Sequence, residues 1–151
     1  MSMSSPFIKL IITLSSAALL YACATPSQVY WDNKVKELCE KDGGVTVYET
    51  VELTKEEKEK LQIRNTKYAT KNDMYYSEIY SENISDGNPK IFKTKYLIFR
   101  SSDKKLIGKQ VDYGRIGGDI PNGISHPSSY SCDKAGISTE IEKEIFIIKG
   151  E

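Results

Sequence analysis

Residues 74–115 read MYYSEIYSENISDGNPKIFKTKYLIFRSSDKKLIGKQVDYGR, and this stretch decides the fold. Met74 to Asn83 is rich in tyrosine and alternates with serine and glutamate. A period of two sends neighbouring side chains to opposite faces, which predicts a strand. Asp86-Gly87-Asn88-Pro89 is a turn, because each of these residues favours a chain reversal for its own backbone or side-chain reason. Ile91 to Arg100, with the apolar run Tyr96-Leu97-Ile98-Phe99, predicts a second strand. Ser101 to Lys105 turns the chain again, and Leu106 to Arg115 predicts a third. Tight turns between consecutive strands allow only antiparallel pairing, so the stretch predicts a meander.

On the N-terminal side, Val45, Val47, Val51 and Leu53 share one face of an alternating segment, interrupted at Glu49. Val45 to Leu53 is therefore expected to be one strand. Thr54 with Glu57 three residues later resembles a capping box and opens a charged helix to about Ile63. Residues 64–72 are polar and predict a loop. From Val29, Tyr30 or Trp31, then Val35, Leu38 and Cys39, recur at three- and four-residue steps, one face of a helix. Ser27 is placed as its N-cap, and Asp42-Gly43-Gly44 stops it, since glycine takes the left-handed C-terminal conformation readily. On the C-terminal side, residues 116–136 form a long segment broken by glycine and proline near its start. Ser138 to Lys149 reads as a short helix followed by a strand, or as one helix, and the final strand is preferred. The expected fold is α+β: an N-terminal helix packed on an antiparallel meander sheet of about four or five strands.

The chain starts differently. Lys9 precedes an uncharged apolar run from Leu10 to Ala22. A basic start, an apolar run and small residues at its end is the organisation of a secretory signal peptide. The run is shorter than the roughly 18 apolar residues a spanning helix needs. Leu20-Tyr21-Ala22-Cys23 resembles the lipobox of bacterial lipoproteins, with an aliphatic residue, small residues and the cysteine that receives lipid; Tyr21 is bulkier than the usual choice. The resemblance implies cleavage before Cys23, lipidation of Cys23, and a membrane partner held through that anchor. Two or more acyl chains on one cysteine give the stable anchoring that a single chain does not. Ala24 after the cysteine implies sorting to the outer membrane, facing the periplasm. The organisation expected is then a signal peptide over 1–22, a lipidated tether over 23–28 and a single globular domain over 29–151.

With 21 basic and 21 acidic side chains the net charge is zero. Nucleic-acid binding needs a net basic surface or stripe, so that class of partner is excluded. Lys55 to Lys60 alternates with Glu56, Glu57 and Glu59 and reads as a solvated helix face. If Cys23 carries lipid, Cys39 and Cys132 remain, 93 positions apart. In an oxidising compartment they are disulfide candidates. The alternatives are two free buried thiols or a metal pair. His126 is the single histidine and no Cys-x-x-Cys exists, so a zinc site lacks ligands. No metal and no cofactor is expected.

Trp31 and Lys36-Glu37-Leu38-Cys39-Glu40-Lys41-Asp42-Gly43-Gly44 are followed by Val47-Tyr48-Glu49. A second stretch holds Gly117-Gly118-Asp119, His126-Pro127-Ser128-Ser129 and Cys132. In these two stretches the chain resembles a family of small uncharacterised bacterial lipoproteins. The resemblance brackets most of the chain after Cys23 and implies lipoprotein status and one domain. It brings no activity with it.

The segment from Asp112 to Cys132 is the most unusual one. It gathers Tyr113, Arg115, Asp119, His126, Ser128, Ser129 and Tyr130 among glycines. Long irregular segments of this kind tend to be functional or disordered. A Cys39–Cys132 bridge would pin it beside Asp42-Gly43-Gly44 and make one surface patch of Asp42, Gly43, Gly44, Arg115, Asp119, His126, Ser128 and Ser129. His126 with Ser128 or Ser129 and Asp119 has the residue types of a hydrolytic triad. Triads are recognised by geometry, however, and no Gly-x-Ser-x-Gly elbow is present. Turn chemistry before the bridge accounts for His-Pro-Ser-Ser better. Tyr76 and Tyr80 are cofacial, with Tyr75 opposite; with Tyr96 they are assigned to cross-strand packing in preference to an aromatic binding surface. The expected function is a non-enzymatic binding or accessory lipoprotein whose partner is an envelope protein or cell-wall component. An inhibitor or immunity protein against a cell-wall hydrolase is one form of it. The alternative is a small envelope hydrolase using the His126 set.

Overall fold

The computed structural model describes residues 26–118 and 127–150. In chain order the elements are α1 (Pro26–Asp42), β1 (Gly44–Val47), β2 (Val51–Leu53), α2 (Lys55–Lys60), β3 (Arg64–Asn65) and β4 (Tyr75–Ser85). They continue with β5 (Lys90–Arg100), β6 (Leu106–Ile116), β7 (Ser129–Ser131), α3 (Ile141–Ile145) and β8 (Phe146–Ile148). The meander β4-β5-β6 forms as its alternation predicts, each strand 11 residues long.

The sheet around this meander is larger than the four or five antiparallel strands expected. It has six strands in the order β1-β6-β5-β4-β3, with β7 also paired to β6. β1 and β7 divide the outer edge of β6 between them, both antiparallel. β3 lies parallel to β4, so the sheet is mixed. The excursion through residues 66–74 returns the chain to its starting end, which a tight hairpin does not do.

Val45 to Leu53 is two strands, not one. The amides of Tyr48 and Glu49 both donate to the Ile107 carbonyl, at 2.9 and 3.1 Å, and this ends the pairing of β1 with β6. Glu49 turns to Arg100 at 2.5 Å and Lys105 at 2.8 Å. β2 then leaves the main sheet and runs parallel to β8 in a separate two-stranded sheet. The C-terminal stretch is accordingly a short helix followed by a strand.

The first helix begins at Pro26, inside the segment expected to be tether. Proline suits a first helical turn, where its missing amide hydrogen costs no bond. Ser27 is thus within the helix and is no N-cap; its hydroxyl donates to the Gly118 carbonyl at 2.7 Å. Thr54 caps α2 with the full reciprocal box: Glu57 N–H donates to Thr54 Oγ1, and Thr54 N–H donates to the Glu57 carboxylate.

The two faces of the sheet carry separate cores. On one, Tyr75, Ile98 and Ile107 pack against Leu53, Ile141, Ile145 and Phe146. A bulge makes this face: the register skips from Ile98↔Gly108 to Phe99↔Leu106, leaving Ile107 unpaired and turned inward. A Cβ on Gly108 would lie 2.3 Å from Ile145 Cδ1, so α3 can sit this close only over glycine. On the other face, α1 lays Val35 and Cys39 against Val111, Tyr113 and Cys132.

Candidate functional site

Cys39 and Cys132 form a disulfide, with Cα atoms 5.5 Å apart. Free thiols and a metal pair are thereby excluded for these two residues. The bridge closes over Gly43, where a Cβ would stand 2.7 Å from the Cys39 carbonyl oxygen and 3.0 Å from Cys132 Sγ. Gly44 then takes the left-handed conformation, φ +99°, that starts β1. The helix stop is therefore a division of labour: one glycine makes room for sulfur and the next turns the chain.

The expected patch divides into two clusters. Asp42, at the end of α1, accepts hydrogen bonds from Lys93 Nζ and, at 2.8 Å, from Tyr113 Oη. Lys93 also lies 5.0 Å from the centre of the Tyr113 ring, a cation–π contact. The Lys93 ammonium first, and the Tyr113 hydroxyl second, hold the Asp42 carboxyl below the usual carboxylate range. Asp42 first, and the Tyr113 hydroxyl second, raise Lys93 above its ordinary value.

The second cluster is centred on Arg115, which is not a surface residue: its relative exposure is 2%. Arg115 Nε donates to Asp32 Oδ1 at 2.7 Å and Nη2 approaches the same oxygen at 2.5 Å. Arg115 Nη1 donates to the Gly117 carbonyl and, at 2.8 Å, to Ser128 Oγ. Asp32 and Asp42 are ten residues apart on α1, about 15 Å at the helical rise. The two clusters are thus different places on the molecule.

Arg115 anchors both ends of the segment that follows β6. Gly117 N–H donates to the Ser128 carbonyl at 2.9 Å, so the chain leaves and returns at one point. Gly118 N–H donates to Asn88 Oδ1 at 2.7 Å. Gly117 and Gly118 both have positive φ, and a Cβ on Gly117 would lie 2.6 Å from Asn88 Oδ1. Asp119 and His126 lie outside the described residues, as does Cys23. The distance from the His126 ring to Ser128 or Ser129, on which a general base depends, is therefore outside them too. Ser129 is exposed in β7, opposite Ile116.

Of the four tyrosines only Tyr76 packs across strands as expected; Tyr80 is 55% exposed, its hydroxyl donating to Glu78 at 2.6 Å. Tyr76 stacks on Phe99, its register partner, with ring centroids 5.2 Å apart. Tyr75 meets Phe146 edge to face at 4.9 Å. Tyr96 Oη donates to Glu142 of α3 at 3.0 Å.

Sequence reasoning missed Asp32 and Lys93. Asp32 could have been found, because it sits three and seven residues before Val35 and Cys39, on their face. Lys93 could not: nothing in the alternation of β5 marks it apart from Lys95. Among the described residues no metal-ligating group of three or more is gathered, and no helix is long and apolar enough to cross a membrane. No family model, no curated protein and no solved structure matches the chain.

Proposed function

We propose that this chain is a lipid-anchored lipoprotein of the bacterial cell envelope, cut before Cys23, with a non-enzymatic domain that binds an envelope protein or cell-wall component. The observation that carries the reading is Leu20-Tyr21-Ala22-Cys23 at the point where an uncharged run ends. The Cys39–Cys132 disulfide supports it, since such bridges persist in oxidising, exported compartments. Membership of the lipoprotein family, attachment at the outer membrane and a periplasm-facing domain belong to the same proposal. The binding role is supported by the way the conspicuous polar residues are used. Asp42 is bonded to Lys93 and Tyr113, and Arg115 to Asp32, so both sets hold the fold together and leave surface recognition to other parts of the domain.

The test has two arms. Mass spectrometry of the processed protein is expected to find diacylglyceryl on an N-terminal Cys23, and Cys23→Ser to leave the precursor uncut. An unmodified Cys23, or cleavage elsewhere, overturns the anchor. Cross-linking in intact cells is expected to capture one specific envelope partner; capture of none overturns the binding role.

A further inference from the structure

β4 is one of the three long strands, yet only its first residues have a neighbour on the outer side. β3 pairs with Tyr76 and Ser77 and then departs. From Ile79 to Ile84 every residue is exposed, with Ile79 at 53%, Tyr80 at 55% and Ile84 at 49%. The direction of the free groups follows from one bond. Thr66 N–H donates to the Ser77 carbonyl at 2.7 Å, so Ser77 faces its main-chain groups outward. In an antiparallel ladder that orientation alternates. The N–H and C=O of Ile79, Ser81 and Asn83 therefore point away from β5. Among the described residues no main-chain bond from a turn or loop reaches them, and no strand is paired with β4 beyond Ser77 on that side.

Proteins usually guard such an edge with lysine, proline, a bulge or a covering element. Residues 78–85 contain no lysine and no proline. The one irregularity in the pairing falls between Asn83 and Ser85, at the far end. The side chains select among strands that could add here. Glu78, Tyr80 and Glu82 share one face, with Tyr76 and its stacked partner Phe99 beyond them. Residues 78–85 hold these two acids and no base. On the same face β5 sets Lys95 opposite Tyr80 and Lys93, itself held by Asp42, opposite Glu82, while Glu78 accepts from Tyr80 Oη at 2.6 Å. The acids therefore form the outer row that an added strand meets first. Opposite charges directly across a sheet stabilise a pair, and like charges destabilise it.

We infer that the outer edge of β4 is an acceptor for an extended segment of a partner protein, added as a further strand, with basic residues four positions apart flanking an apolar one. The bases meet Glu78 and Glu82, and the apolar residue meets Tyr80. The spacing is symmetric, so it serves either strand direction. A second copy of this chain centred on Tyr80 would set Glu78 opposite Glu82, a like-charge pair; self-pairing in any other register is an outcome of the test below. This inference rests on the binding role proposed above and names its recognition chemistry.

The probe is a capped synthetic peptide, Thr-Lys-Thr-Val-Thr-Lys-Thr, with a counterpart carrying glutamate in place of both lysines. Each is titrated into the full chain, isotopically labelled and held in detergent micelles, and amide hydrogen exchange is read residue by residue. The basic peptide is expected to slow exchange at Ile79, Ser81 and Asn83 by about tenfold or more, and the acidic peptide to leave it unchanged. Ser81→Pro removes an outward N–H and no bond to β5, and is expected to abolish the protection. Glu78→Lys with Glu82→Lys is expected to weaken the basic peptide about tenfold, two exposed charge pairs at most; this pair keeps the test open if Ser81→Pro disturbs β4. No protection by the basic peptide at millimolar concentration, or equal protection by both peptides, overturns the inference. Protection already present in a free chain that sediments as a dimer also overturns it, in favour of self-pairing. Cellular cross-linking that captures a partner while these amides stay silent removes the edge and leaves the binding role standing.

Discussion

The two faces of the sheet are closed by different forces. Over β4-β5-β6, α3 and β8 bring Ile141, Ile145 and Phe146 onto Tyr75, Ile98 and Ile107, and every member of that cluster is hydrophobic. Burial of each large aliphatic side chain contributes roughly 1.5–3 kcal/mol. On the opposite face, α1 is 17 residues long but buries only Val35 and Cys39. The helix is held instead by a disulfide at its C-terminal end, by Arg115 on Asp32, and by Asp42 between Lys93 and Tyr113. A face closed mainly by apolar packing answers chiefly to temperature and denaturant, its charged part being the Glu49 pairs to Arg100 and Lys105. A face closed by sulfur and charge depends on redox state and pH, and its bonds are directional enough to fix where the segment after β6 begins and ends.

The largest effect is expected from breaking the covalent link. Cys39→Ala with Cys132→Ala opens a loop of 93 positions, worth about 4–5 kcal/mol in the chain-entropy model. In urea unfolding with hydrogen exchange, the amides of α1 are expected to lose protection first, while β5, β6 and α3 keep theirs. Equal loss on both faces would mean that the two cores are one cooperative unit and the contrast is false. Ile145→Ala acts on the other face, where the side chain is fully buried. It is expected to cost about 3–4 kcal/mol by cavity formation, read as a lower urea midpoint, and to lower protection in α1 as well, because the sheet supports both faces. Arg115→Met comes third. It leaves Asp32 without its guanidinium, but the Asp32 side chain is 30% exposed. The loss is therefore below that of a fully buried broken pair, roughly 2 kcal/mol, and is expected to appear as faster exchange at Gly117 and Gly118 before any change in β4.

The same contrast explains what could be read from the sequence. The apolar alternation of residues 74–115 is a local signal with period two, and it predicted three strands and their antiparallel order. The capping box at Thr54 and the helix stop at Asp42 are local too, and both are present. What the sequence did not reveal was set by contacts between distant residues. Glu49 broke the alternation of Val45 to Leu53, but only Ile107 and Arg100, far along the chain, make that break a change of sheet. β8 pairs with β2 because α3 delivers it there, and no pattern in Phe146 to Ile148 names its partner. The patch expected from Asp42 to Ser129 was drawn from one disulfide. It divides because ten helical residues separate Asp32 from Asp42, and because Arg115 turns inward to meet the former.

The smallest effects sharpen the comparison most, because two acids near the same disulfide are shifted in opposite directions. Lys93, then Tyr113, hold the Asp42 carboxyl low. Burial pushes the Asp112 carboxyl up, only partly offset by the Cys132 N–H that donates to it at 3.1 Å. For Asp42, whose folded value is depressed, the stabilisation is present above the ordinary carboxylate range and is lost as pH falls through the folded value. For Asp112, whose folded value is raised, the folded state holds the proton more tightly. Stability is then fully present at low pH and is lost as pH rises through the raised value. Asp42→Asn is therefore expected to lower Tm near neutrality and to converge on the parent in acid. Asp112→Asn keeps an oxygen to accept from Cys132 N–H and has no proton to lose. It is expected to raise Tm slightly near neutrality, by less than about 1 kcal/mol of stability, and likewise to converge in acid. Thermal unfolding of both variants and the parent from about pH 3 to about pH 7 gives curves that diverge in opposite directions from a common acid limit. If Asp112→Asn is instead destabilised at neutral pH, the ionised carboxylate supports the Cys132 turn and the helix face is held by one more charge than its geometry requires.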